Sequence, residues 1–280
     1  PRMARGRGRF SIDRIPYVIE QALPILKNFR HIVLVETNDP VAFFAYPNKP
    51  SLLKPEGCEV HRMTAAGENS VAALHALADA LGAKATDVKP QKLAELVKPT
   101  GALTHASIAQ AIAVAIPENA IVVDESITTG RGFFPPTAGA APHDWLQNMG
   151  GSIGFSTPVA TGAAVACPDR KVICMVGDGS AMYTLQSLWT QAREGLDVTT
   201  IVFANRTYQI LKGEFAGVDA GEPGRKALDM LNLDNPSLNW VSLANGMGVT
   251  AISVRTAEDF SRALADSMRE KGPRLIEVVM

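Results

Sequence analysis

Five β-branched runs, at 120–124, 171–176, 198–204, 249–253 and 274–279, alternate with segments of helical spacing and leave this chain few ways to fold. The helical segments lie at 104–116, 155–167, 181–194, 238–246 and 257–271. Strands joined through helices run parallel, and each crossover leaves a helix lying on one face of the sheet. The expected fold class is therefore α/β, a parallel sheet covered by helices on both faces. At 280 residues the chain can bury such a core without disulfides or a structural metal.

The part before this pattern is less regular. Residues 15–29 have helical spacing, 31–36 and 59–63 read as short strands, and 41–45 is a candidate edge strand. Asn69 reads as the cap of a helix over 70–81, closed by Gly82. A charged linker at 87–99 sets the expected boundary, with residues 1–98 forming a partial α/β domain and 99–280 a second, complete one. The first ten residues carry four arginines without periodicity and read as an exposed, frayed end.

Composition removes several classes of function. With 27 Lys and Arg against 28 Asp and Glu, the formal charge of −1 excludes a globally basic nucleic-acid binder and an acidic disordered tail. No apolar run reaches the length of a membrane span. Cys58, Cys167 and Cys174 are odd in number and lack CxxC spacing, which points away from a disulfide framework and towards a reducing, cytoplasmic setting. His31, His61, His75, His105 and His143 do not cluster at metal-ligand spacing and read as structural, and Trp189 reads as core. Asp124 and Glu125 are adjacent on an extended chain, so they face opposite ways and share no acid–base site.

In open α/β sheets ligands bind beyond the carboxyl ends of the strands. Behind the run 171–176 comes Gly177-Asp178-Gly179-Ser180 and then a helix. The glycines permit a tight turn and close backbone approach, and free N–H groups at a helix start attract an anion. A carboxylate in that turn would repel a phosphate unless a divalent cation lay between them. Asn205, just after the next run, can reach the same cation. A structural turn and a helix-capping Asn form the plainer alternative for these residues.

Gly177-Asp178-Gly179-Ser180, an intervening helix and strand, and then Ala204-Asn205-Arg206-Thr207-Tyr208 resemble the diphosphate-and-magnesium motif of thiamine diphosphate (ThDP)-dependent enzymes. The nearest branch is that of acetolactate synthase and benzoylformate decarboxylase. The resemblance implies Asp178 and Asn205 as side-chain ligands of Mg²⁺, Thr207 as a backbone-carbonyl ligand, and Gly177, Gly179 and Ser180 as cofactor-binding neighbours. Arg206 departs from it, standing where the family has a second Asn. Residues 148–155 resemble the stretch under the cofactor, which implies Ile153 as the wedge between its rings and the Gly151 carbonyl as acceptor for its 4′-amino group. Residues 124–129 resemble the loop whose Ile127 and Thr128 touch the diphosphate. Read without the resemblance, the first of these stretches is a tight helix entry and the second a capped loop.

By the same resemblance, residues 99–280 correspond to the diphosphate-binding (PP) domain and 1–98 to the latter part of the family's middle domain. The implied activity is that of a ThDP- and Mg²⁺-dependent 2-keto acid carboligase or decarboxylase, acetolactate synthase-like, acting on a pyruvate-like substrate as a homo-oligomer, dimer or tetramer. A benzoylformate or other 2-keto acid decarboxylase and a non-catalytic PP-fold subunit are the alternatives. No counterpart of the family's ylide-promoting glutamate is found, so no catalytic residue is assigned, and the chain is expected to be a fragment of a longer enzyme. FAD is not supported. A nucleotide- or flavin-binding oxidoreductase is disfavoured because no Gly-x-Gly-x-x-Gly opens a helix after a strand. Residues 209–224, polar and glycine-rich, read as a loop forming a lid, with Glu214, Phe215 and Asp219 as solvated loop residues.

Overall fold

A computed structural model of the chain describes residues 2–92, 95–148 and 150–280. The strands among them are β1 (Arg2–Arg5), β2 (His31–Val35), β3 (Glu59–Thr64), β4 (Ala120–Glu125), β5 (His143–Gln147), β6 (Val172–Gly177), β7 (Val198–Ala204), β8 (Thr250–Val254) and β9 (Arg274–Val279). The chain divides into two compact units. The larger comprises Pro1–Ser11, Pro90–Ala216 and Gly221–Met280, and the smaller Ile12–Lys89 with Gly217–Ala220.

In the larger unit seven strands form one sheet in the order β1-β5-β4-β6-β7-β9-β8, parallel throughout except for β1. Alternate side chains enter opposite layers, as the period of two requires. Val122, Ile173, Met175, Ile201 and Phe203 pack with Ile108, Ile112 and Phe260 of the helices His105–Ala115 and Ala257–Arg269. Ile121, Val123, Val172 and Cys174 pack the other way, against Ala160 and Ala164 of the helix Ser156–Ala166. Val176 and Val202 join Leu188 and Trp240 in the same outer layer. Two-sided burial is why these strands are continuous apolar runs rather than alternating ones. The parallel sheet with helices on both faces stands as expected.

The N-terminal arginines behave differently from the expectation. β1 pairs antiparallel with β5, Arg2 opposite Leu146 and Arg5 opposite His143, so the segment is an edge strand and not a frayed end. Both of its arginines have partners in the fold, though only Arg5 is buried. Arg2 pairs with Asp144 at 3.1 Å, while the buried Arg5 lies 3.2 Å over the Phe134 ring and donates to the Phe134 carbonyl. Gly6, at φ +96°, then turns the chain where a Cβ would sit 2.4 Å from the Ala141 carbonyl oxygen. The boundary expected at 98/99 differs accordingly: the division falls at 89/90, and the first eleven residues go with the larger unit.

β5 was not read from the sequence because His-Asp-Trp-Leu-Gln lacks a β-branched run. It is nevertheless buried at His143, Asp144 and Trp145. His143 is structural, with Nδ1 2.6 Å from the Ala141 carbonyl and Nε2 buried without a partner. Burial is the main cause that pushes its pKa below the ordinary 6.5. The unfolded chain thus takes up a proton that the folded chain refuses. The stability this residue contributes is present above pH 6.5 and is lost as the pH falls through and below that value. His143→Asn, whose amide can still donate to Ala141, should flatten the loss of stability between about pH 6.5 and 5, read from urea midpoints. Parallel loss in variant and parent would mean that the imidazole titrates normally.

The smaller unit holds a two-stranded parallel sheet of β2 and β3. Its core is formed by Ile19, Ala22, Leu26 and Leu53, from the helix Ile19–Leu26 and a loop residue. Asn69 caps the helix Ser70–Ala80 through a 3.0 Å bond from the Ala72 N–H, as read from the sequence. The candidate strand at 41–45 reduces to a single bridge between Val41 and Leu52. Among the described residues no helix is long and apolar enough to cross a membrane, and all three cysteines are free.

Candidate functional site

β4 leads to β5 on one side of the sheet and β6 leads to β7 on the other, so the strand order reverses between the neighbours β4 and β6. A reversal of this kind opens a crevice beyond the carboxyl ends. The register aligns those ends: Glu125 lies opposite Val176, Asp124 opposite Gln147, and Gly177 opposite Phe203. The residues just past β4, β5, β6 and β7 therefore emerge at one edge of the sheet.

Asp178 opens the short helix Asp178–Ala181 directly after β6 and is 3% exposed. Its carboxylate accepts N–H bonds from Gly179 at 2.9 Å and from Arg206 at 2.7 Å. Burial nevertheless pushes its pKa up to about 6, against the lowering effect of these N–H groups and of the Arg206 charge. Arg206 reaches this position with φ +57°, a left-handed conformation that Asn adopts more readily than Arg. Its carbonyl is tied to the Leu233 N–H at 2.7 Å, and its Nε is buried without a partner. Beside it the Asn205 side-chain oxygen accepts from the Thr207 N–H at 3.1 Å, and the Thr207 hydroxyl donates to the Leu231 carbonyl at 3.0 Å. An amide oxygen has two lone pairs, so the Asn205 bond leaves one for a cation.

The two glycines of the turn have different reasons to be glycine. A Cβ on Gly179 would stand 2.6 Å from the Tyr208 ring, whereas one on Gly177 would enter open space. The steric demand expected of both thus applies within the chain only to Gly179. Ser180, in the same turn, is buried.

On the other side of the strand-order reversal, Glu125 ends β4 and is 2% exposed. Its two carboxylate oxygens accept from the Gly154 N–H at 2.5 Å and the Ser156 N–H at 2.8 Å. The helix Ser156–Ala166 has no side-chain cap of its own at Phe155, and Glu125 supplies the missing acceptor at its positive end. The loop before this helix is closed by Asn148, which donates to the Ser152 carbonyl at 2.8 Å and accepts its N–H at 3.1 Å. Gly150 and Gly151 both take left-handed φ, at +67° and +71°. Ile153 then stands 43% exposed. Ile127, just beyond β4, has φ +48°, a strained position for a β-branched residue. Thr128 follows it at the start of the turn Thr129–Gly132.

The structure gathers Gly177, Asp178, Gly179, Ser180, Asn205 and Thr207 at the ends of β6 and β7, and Ile127, Thr128, Gly151 and Ile153 beyond β4 and β5. Met149, quoted within one motif, lies outside the described residues. Glu125 is the residue of this region whose structural role sequence reasoning missed. Its signal was a glutamate ending a buried strand, paired with a helix start that lacks Ser, Thr, Asp or Asn at its cap. The helix read over 181–194 is split into Asp178–Ala181 and Ser187–Arg193 by tight i→i−3 turns. There the Thr184 hydroxyl donates to the Gly154 carbonyl at 2.6 Å. Trp189 is a correction: its helix buries Leu188 and Gln191, leaving the indole 53% exposed under Arg193. Residues 209–217, read as part of a loop, form a helix with no buried residue.

Comparison with known proteins bears on the family of the chain. A family profile described as thiamine pyrophosphate enzyme, C-terminal TPP binding domain, matches residues 135–278. A Mycobacterium tuberculosis protein provisionally named acetolactate synthase large subunit IlvX is 47% identical over 285 residues, covering 99% of this chain and 54% of that protein. Benzoylformate decarboxylase of Pseudomonas aeruginosa is 35% identical over 190 residues, covering 68% of this chain and 34% of that protein. Among solved structures, the ThDP-dependent 4-hydroxybenzoylformate decarboxylase of Rhodococcus jostii RHA1 superposes with TM-score 0.77 at 28% identity, covering 95% of this chain and 51% of that chain. The chain thus spans about half the length, or less, of the relatives it matches. With the profile covering just over half of its residues, this chain belongs to the thiamine pyrophosphate enzyme family and carries the C-terminal TPP binding domain.

Proposed function

We propose that this chain provides the diphosphate- and Mg²⁺-binding part of a ThDP-dependent 2-keto acid carboligase or decarboxylase, acetolactate synthase-like, acting in the cytoplasm on a pyruvate-like substrate. The observation that carries it is the Asp178 carboxylate, buried at the end of β6 and bonded through the Arg206 N–H to the segment that bears Asn205. Backbone N–H groups and one neighbouring charge do not offset the burial of this group, and a bound cation would. Oxygen donors of the Asp and Asn type match the preferences of Mg²⁺.

In this reading Asp178, Asn205 and the Thr207 carbonyl hold Mg²⁺, and residues 177–180 lie along the diphosphate. Ile127 and Thr128 flank it from β4. Glu125 keeps the 150–156 loop in place by two N–H bonds, so that Gly151 and the exposed Ile153 face the cofactor rings. When bound, ThDP supplies the nucleophilic carbon and the electron sink for 2-keto acid chemistry. The open space at Gly177 and the left-handed Gly150 and Gly151 fit the close approach of such a group. Residues 99–280 form the PP domain in this proposal, the smaller unit belongs to a middle domain, and the working enzyme is a homo-oligomer.

The test is calorimetric titration of the chain with ThDP, with and without Mg²⁺. Binding is expected only with the metal, and metal-independent binding would refute the assignment. The likeness to benzoylformate decarboxylases supports a second reading, simple decarboxylation. Supplying pyruvate to the working oligomer and identifying acetolactate or acetaldehyde separates the two.

A further inference from the structure

The smaller unit brings together three side chains of metal-ligating type, none of them among the residues assigned to the proposed cofactor site. β2 and β3 run parallel with His31 opposite Glu59 and Val33 opposite His61. Glu59 and His61 are two residues apart, so they project from one face of β3, and His31 meets them from the neighbouring strand. His31 Nδ1 lies 3.1 Å from His61 Nε2, and Glu59 Oε2 lies 3.4 Å from the first and 3.7 Å from the second. The imidazole rings stack at 5.3 Å with 29° between their planes. This corrects the sequence reading that the histidines do not cluster. Some thirty residues separate His31 from His61, and only the pairing of two parallel strands makes them neighbours.

We propose that His31, Glu59 and His61 form a binding site for one divalent cation of the zinc class. A tetrahedral ion about 2.0–2.1 Å from each donor holds its ligands about 3.3 Å apart. The three observed separations bracket that value. Two imidazole nitrogens and one carboxylate oxygen suit Zn²⁺ and its transition-metal neighbours, whereas Mg²⁺ and Ca²⁺ favour all-oxygen sets. All three ligands sit on paired strands, so the ladder holds their spacing better than a loop would. All three are also exposed, which leaves water to complete the coordination. One Glu59 oxygen lies within 3.7 Å of both nitrogens, so an ion held among the three would bridge β2 to β3.

The test uses the full chain without ThDP, in excess Mg²⁺ so that the Asp178 region is presented with its own metal. Zn²⁺ is titrated in competition with a chromophoric chelator. One equivalent should bind saturably, and His31→Asn, Glu59→Gln and His61→Asn should each weaken it by about tenfold or more. Asp178→Ala should leave zinc binding unchanged, which keeps this site distinct from the proposed Mg²⁺ site. Co²⁺ in place of Zn²⁺ should give a visible absorption band that His61→Asn removes. Circular dichroism checks that all four variants remain folded, the three altered at exposed positions and Asp178→Ala altered at a buried one. Three results would each overturn the proposal: no saturable binding below about 1 mM zinc, equal binding by the three variants, or binding lost in Asp178→Ala.

Discussion

Asp178→Ala should lower the affinity for ThDP in the presence of Mg²⁺ by about a hundredfold or more, while the chain stays folded. The substitution removes the only carboxylate in the 177–180 turn, and with it the anionic oxygen proposed to face the metal. Its structural consequences are opposed and partly cancel. The Gly179 and Arg206 N–H groups lose their acceptor, at about 1–3 kcal/mol for a buried donor left unpaired. Against this, a carboxyl that burial pushes up to about 6 no longer has to be kept out of water. Calorimetry for binding and urea unfolding for stability read the two effects separately. Unchanged Mg²⁺-dependent binding in a folded variant would locate the metal elsewhere.

A larger loss of stability is expected at Glu125. Glu125→Ala leaves the Gly154 and Ser156 N–H groups without their acceptor at the start of the helix Ser156–Ala166, and removes a negative charge from its positive end. The cost should be about 3–5 kcal/mol in urea unfolding. Glu125→Gln keeps the shape and one acceptor oxygen but turns an NH₂ towards the second N–H, so its loss should lie between those of Ala and the parent. The Gln variant carries the functional information. If Glu125 positions the loop that bears Gly151 and Ile153, this variant should remain folded yet bind ThDP more weakly. Parent-like stability in both variants would contradict the role assigned to the carboxylate.

Legibility in the sequence followed burial and locality. β4, β6, β7, β8 and β9 could be read because most are covered on both faces, and two-sided burial writes itself as a β-branched run. Asp178 and Asn205 could be read because each directly follows such a run. β1 and β5 could not, since they are rich in arginine, histidine, aspartate and tryptophan rather than β-branched residues, and β1 is placed by partners more than a hundred residues away, such as Phe134 for Arg5. The same limit hid Glu125, whose two N–H donors lie 29 and 31 residues downstream. It also hid the meeting of His31 with His61, which is set by strand register. Local spacing reveals pairs that one helix or one turn brings together. It is silent about pairs made by a sheet. Trp189 marks a further limit: the short helix that carries it exposes the face on which it falls.

The N-terminal strand has a topological consequence. Because β1 is laid into the seven-stranded sheet before the chain departs to build most of the smaller unit, the stretch Ile12–Lys89 is an insertion, entered from the larger unit and returned to it. Its two ends are held by the larger unit at both departure and return, so the excursion is a closed loop whose entropy is already restricted before the smaller core forms. A break in the backbone between 12 and 89 would therefore leave β1 attached to the sheet through its ladder and through Arg5 on Phe134, instead of cutting the molecule in two.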